Sequence, residues 1–128
     1  MTHYHACVWL DHFEARIFGI SEDEFDETDV HNNEMPRHIH RKADHVGQGK
    51  AGPPTNFYAE IAEALAPYRA ILIAGPGTAR NELAGYLVEH DPKMRARIWG
   101  IEAMDHPTRP ELVAAARKYF RAADRMRS

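Results

Sequence analysis

Ala70-Ile71-Leu72-Ile73-Ala74, followed by Gly75-Pro76-Gly77-Thr78, is the segment on which the reading of this chain turns. Five apolar residues with no polar interruption, closed by a turn, describe a short strand covered on both faces. Gly-Pro-Gly reverses the chain. Thr78 then stands where it can cap a helix whose inner face is Leu83, Leu87 and Tyr86. A doubly covered strand leading into an amphipathic helix is the building unit of an α/β sheet.

Upstream, Tyr4, Ala6, Val8 and Leu10 alternate with His5, Cys7, Trp9 and Asp11. Both sets are apolar enough for a second central strand. A tight connection through His12 leads to EARIFGIS, another strand, and then to FDETDVH, whose acidity suits an exposed edge. These three segments predict an antiparallel meander. Thr55 can cap a helix with Phe57, Ile61 and Leu65 on one face, ending near Pro67. Downstream, RARIWGIEAM reads as a fifth strand. Thr108 and Glu111 have capping-box spacing, with Pro110 in the first turn, and open a helix that buries Leu112, Ala116, Tyr119, Phe120 and Ala123. The order is β-β-β-α-β-α-β-α. It predicts an α/β fold with a mixed five-stranded sheet and helices on its faces, in the ribonuclease H-like order. Ala70–Ala74 belongs inside that sheet and the acidic strand at or near an edge.

At 128 residues the chain reads as one domain, 1–128, with 44% apolar and 27% charged residues. A net charge of −3 excludes a generally basic nucleic-acid binder, but the charge is segregated. Residues 21–30 hold six carboxylates and no base, while cations gather in 37–50 and 117–127. Cys7 is alone, which excludes a disulfide framework and a cysteine zinc cluster, and reads as a buried inert thiol. The longest apolar run is too short to span a membrane and the first residues do not resemble a signal peptide. The expectation is a cytoplasmic protein with no membrane partner.

Residues 31–54 form a long connection rich in base, histidine and glycine, including RHIHRKADHVGQGKAGPPT from Arg37 to Thr55. Composition alone favours a solvated connection. Gly47 and Gly49 free the backbone around Gln48, whose amide has donors and an acceptor to orient a water or a ribose. Arg37, Arg41, Lys42 and Lys50 suit RNA phosphates. His38, His40 and His45, with His31 nearby, are weak candidates for zinc, copper or nickel. With no cysteine and no fixed spacing behind them, they read as solvated side chains, and neither metal nor other cofactor is expected. Asp11 ends the first strand, where a ribonuclease H places a metal-binding aspartate, with Glu102 and Asp105 as the candidate companions. A hairpin cap is the preferred role for Asp11. Gly-Pro-Gly-Thr lacks the lysine of a P-loop and reads as a structural turn. Arg117, Lys118, Arg121, Arg125 and Arg127 make the last helix basic, which answers its dipole; a second RNA contact is the alternative.

Three linked segments bring a family into view. CVWLDHFEARIFGI from Cys7 to Ile20, the loop, and ILIAGPGTARNELAGYL from Ile71 to Leu87 resemble the central domain of archaeal and eukaryotic peptide-chain release factors and of Pelota. His106 to Phe120 is similar to a small bacterial group labelled translational machinery proteins, which look like this domain standing alone. The resemblance implies a translation-associated, RNA-binding role with the ribosome or tRNA as partner. In release factors the corresponding loop carries Gly-Gly-Gln and helps water cleave peptidyl-tRNA. Here the sequence is Val46-Gly47-Gln48-Gly49, so Gln48, with Gly47 and Gly49, is carried over as the catalytic candidate, and peptidyl-tRNA hydrolysis is left open. Nothing here matches a stop-codon-reading domain, so decoding is not implied. The alternatives are a non-catalytic ribosome hibernation or binding factor and a metal-dependent ribonuclease H-like nuclease. A homo-oligomer is left open.

Overall fold

The computed structural model describes residues 4–32 and 55–127, and five strands within them form one sheet in the order β3-β2-β1-β4-β5. β1 (His5–Leu10), β2 (Glu14–Ile20) and β3 (Phe25–His31) make the antiparallel meander. β4 (Ala70–Gly75) lies parallel to β1, and β5 (Ile98–Ala103) lies parallel to β4. All six residues of β4 are buried, as an uninterrupted apolar run between two neighbours requires. The acidic β3 is an edge strand, with five of its seven residues exposed.

Strand alternation divides the core between the two faces. Ala6, Val8, Leu10, Ile17, Ile71 and Ile73 pack beneath α1 (Thr55–Leu65) and α2 (Ala79–His90). Cys7, Trp9, Phe18, Ile20, Leu72 and Ala74 pack beneath α4 (Arg109–Arg127). The helices supply Phe57, Ile61, Leu65, Leu83 and Leu87 on one side and Leu112, Ala116 and Phe120 on the other. Tyr86, Tyr119 and Ala123 are half-buried. Among the described residues no helix is long and apolar enough to cross a membrane.

Two local expectations need correction. Arg95–Arg97 are not strand: Met94–Arg97 form a one-turn helix, α3, and β5 begins at Ile98. Burying Met94 against the α1–α2 side turns this segment helical before the chain enters the sheet. Thr78 stands at the head of α2 in a helical conformation and makes no side-chain cap bond; its hydroxyl donates instead to Glu82 Oε2, at 3.2 Å. The capping box of α4 forms as its spacing predicts. Thr108 N donates to Glu111 Oε1 at 2.9 Å, and Glu111 N donates to Thr108 Oγ1 at 3.3 Å.

Two glycines are fixed by close approach. A Cβ on Gly75 would lie 2.2 Å from the carbonyl oxygen of Leu10 in the neighbouring strand. One on Gly100 would lie 2.2 Å from the Tyr119 hydroxyl, which donates to Trp99 O at 2.7 Å. An irregularity between Ile71 and Leu72 pairs these residues with Ile98 and Gly100, leaving Trp99 as the extra residue.

Candidate functional site at the carboxyl edge of the sheet

β1, β4 and β5 run parallel, so Leu10, Gly75 and Ala103 end at one edge, and β3 delivers His31 to the same edge. From β1 the chain proceeds to β2 and β3 on one side and returns to β4 and β5 on the other. The crevice between the ends of β1 and β4 is therefore the topological switch point, where open α/β sheets bind their ligands.

A carboxylate organises that crevice. Glu82, in the first turn of α2, accepts from the Tyr58 hydroxyl at 2.8 Å and lies 3.1 Å from His12 Nε2, while its second oxygen takes the Thr78 hydroxyl. Partial burial pushes the Glu82 carboxyl up, but the bonds from Tyr58, His12 and Thr78 outweigh it and hold the group below its usual range. Tyr58 is pushed well above the usual phenol range, first by burial and then by Glu82. His12 also reaches the last residue before the long connection: its carbonyl accepts from Asn32 Nδ2 at 2.9 Å, and Phe13 O accepts from Asn32 N at 2.9 Å. Asn32, the β1–β2 turn, α1 and α2 are thus tied through His12 and Glu82. Residues 33–54, which follow Asn32 in the chain and precede Thr55, lie outside the described residues.

Asp11 is the hairpin cap. Its Oδ1 accepts from Phe13 N at 2.8 Å and from Glu14 N at 3.0 Å. Its Oδ2 lies 3.9 Å from His106 Nε2, and His106 Nδ1 lies 3.1 Å from Asp105 Oδ1. The Trp9 indole donates to the carbonyls of Met104 and Asp105, at 3.1 and 2.9 Å, and fixes the approach of this segment. Glu102 is exposed at the end of β5. Among the described residues no three metal-ligating side chains converge, so Asp11, Glu102 and Asp105 do not form a metal centre. Carbonyls of Gly75 and Gly77 accept from Arg80 Nη1, which makes Gly-Pro-Gly a braced turn, and Glu82 places negative charge in the first turn of α2.

Beside the crevice, on the α4 face, Arg109 Nε lies 2.6 Å from Glu27 Oε1, and Arg16 Nε lies 3.7 Å from Glu27 Oε2. Burial raises the Glu27 carboxyl, but its bonds to Asp29 and Arg109 and the charge of Arg16 leave it below the usual range. Asp29 is raised, by burial and by the neighbouring Glu27.

The loop residues Gln48, Gly47, Gly49, Arg37, Arg41, Lys42, Lys50, His38, His40 and His45 lie outside the described residues. His31 is exposed at the end of β3, 3.7 Å from Glu14. Arg117 corrects the reading of the basic helix as a solvated face. Its guanidinium donates to Ser21 O and Glu24 O, each at 3.0 Å, and so pins the β2–β3 turn. The Glu82 cluster and the Arg16–Glu27–Arg109 network had no counterpart in the sequence reading. Tyr58 and Glu82 are 24 positions apart, and Glu27 and Arg109 are 82 apart, beyond any local pattern.

The fold, a mixed sheet in the order β3-β2-β1-β4-β5 with helices on both faces, has counterparts among known proteins. No family model matches the chain, and no curated protein matches it. Solved structures do. The Thermoplasma acidophilum Pelota protein is 21% identical with a TM-score of 0.57, over 93% of this chain and 32% of that one. The Archaeoglobus fulgidus Pelota is 15% identical with a TM-score of 0.60, over 89% and 30%. An archaeal translation termination factor is 15% identical with a TM-score of 0.56, over 96% and 39%. At these identities the likeness is one of fold. The chain spans about a third of the length of the structures it matches, and corresponds to one domain of them.

Proposed function

We propose that this chain acts at the ribosome, binding RNA through residues 33–54 as a relative of the Pelota and termination-factor domain. The observation that carries the reading is positional. Asn32, the residue from which the segment holding Arg37, Arg41, Lys42 and Lys50 departs, is tied into the Glu82–His12 cluster at the switch-point edge. The matched proteins include a translation termination factor, which supports the ribosome as partner. Peptidyl-tRNA hydrolysis is a second step. Gln48 would position the water, while ribosomal RNA would supply most of the catalysis. One glycine before Gln48 and one after, in place of two before it, favour the non-catalytic reading, in which the protein binds the ribosome and hydrolyses weakly or not at all.

Co-sedimentation with ribosomes in low salt tests the binding. Loss of the protein from the ribosomal pellet under those conditions overturns it. Gln48→Ala separates binding from chemistry: association survives because no charge is removed, and any peptidyl-tRNA hydrolysis on stalled ribosomes falls. Hydrolysis unchanged in that variant rules out a catalytic Gln48.

A further inference from the structure

The two edges of the sheet differ in kind. β3 carries Asp26, Glu27 and Asp29, charges that discourage another strand from adding to it. β5, at the opposite edge, presents Ile98, Trp99, Gly100 and Ile101, and Glu102 is its one charge. Ile101 pairs with the inward-facing Ile73, so it points to the α2 side, yet it is 42% exposed. Beside it, α2 and β5 enclose a groove of about 490 Å³ lined by Ala84, Gly85, Val88, Ile98 and Ile101, with Glu89 and Arg95 completing it. A Cβ on Gly85 would meet nothing within 4 Å, so the helix is open to an incoming side chain there.

Charge along this edge is polarised. Arg95 and Arg97 precede β5, and Glu102 and Asp105 lie at its far end. Arg95, Glu102 and Asp105 are exposed. A strand that is basic at one end and acidic at the other is complementary to itself when paired antiparallel.

We propose that two copies of this chain pair through β5, antiparallel about a two-fold axis at Ile101, so that the sheet continues from one copy into the other. An axis perpendicular to the sheet keeps both α2 helices on the same face. Ile101 then stands opposite its counterpart, and the two side chains fill the groove between the helices. Gly100 falls opposite the partner's Glu102, and the exposed Arg95 comes up to the partner's Asp105. The irregularity at Trp99 leaves Gly100–Ala103 as the regular pairing segment, so burial of the Ile101 pair supplies much of the stability. The pairing uses no residue of 33–54 and stands apart from ribosome binding.

Sedimentation of the whole chain over a concentration series tests this. The wild type forms a dimer, and Ile101→Lys is a monomer with unchanged circular dichroism, because the side chain is half out of the core; its melting temperature no longer rises with protein concentration, as that of a dimer does. Asp105→Arg weakens the dimer about tenfold, equivalent to ~1.4 kcal/mol. Adding Arg95→Glu to that variant restores the dimer. A wild type that stays monomeric up to about 200 μM overturns the proposal. So does a dimer that Ile101→Lys leaves intact, or a double reversal that restores nothing.

Discussion

Gly75 shows how a single residue holds the crevice in shape. Its missing side chain lets β4 run against the Leu10 carbonyl, and a methyl group would have to displace backbone at 2.2 Å. Gly75→Ala is expected to destabilise the fold by about 3 kcal/mol, read as a lowered denaturant midpoint with an unchanged slope. Glu82 acts through charge. Its folded-state pKa lies below its ordinary value, so the stability it adds is complete above that ordinary value and is lost as pH falls through the lower, folded-state one. Glu82→Gln keeps the shape and removes the charge. It should lower the melting temperature at neutral pH, and the difference from wild type should shrink steadily in acid. A constant difference across the acid range would mean that the carboxylate's charge does not matter. Cys7, wholly buried, has its thiol pushed up to about 12 by burial and is inert at neutral pH.

At the scale of elements, α4 is positioned at its start and again near its middle. The capping box sets its start, and Arg109 bonds Glu27 on the edge strand. Two turns on, Arg117 reaches the β2–β3 turn. Thr108→Ala removes one half of the box and should cost ~1 kcal/mol of stability. Thr108→Ser, which keeps the hydroxyl, should recover most of it in the same thermal melt. Equal loss in both variants would assign the effect to the threonine methyl group rather than to the cap. The short helix α3 and the irregularity at Trp99 act together: they turn the chain into β5 and leave Ile98 and Ile101 both facing α2.

For the whole molecule, segregated charge is the property that matters. Six carboxylates crowd residues 21–30, and Arg37, Arg41, Lys42 and Lys50 follow them in the sequence. A net charge of −3 gives no general attraction to RNA, so association should rest on the loop. Replacing Arg37, Arg41, Lys42 and Lys50 with alanine should weaken ribosome association and flatten its salt dependence, each lost phosphate contact lowering the log–log slope by ~0.7–0.9. An unchanged slope in the quadruple variant would move RNA binding away from the loop, whatever the affinity.

The sequence determined the five strands, the three long helices, their order and the parts they play in the sheet, though not the one-turn α3. Runs such as Ala70–Ala74, alternation in Tyr4–Asp11, and the Thr108–Glu111 spacing are local patterns, and local backbone physics acts on them directly. The acidic edge strand was legible for the same reason, because a run of like charges suits a strand with one side open to water. Asp11 was legible as a turn residue, since its partners are two and three positions away. Only the tertiary structure decided that His12, Tyr58, Thr78 and Glu82 meet at the switch point. It alone joined Arg109 to Glu27 and Arg117 to the β2–β3 turn, and left Ile101 beside an open groove. Such contacts depend on which strands become neighbours and on which face each helix lands. Those choices are made by burial summed over the whole chain, and no short stretch of sequence records them.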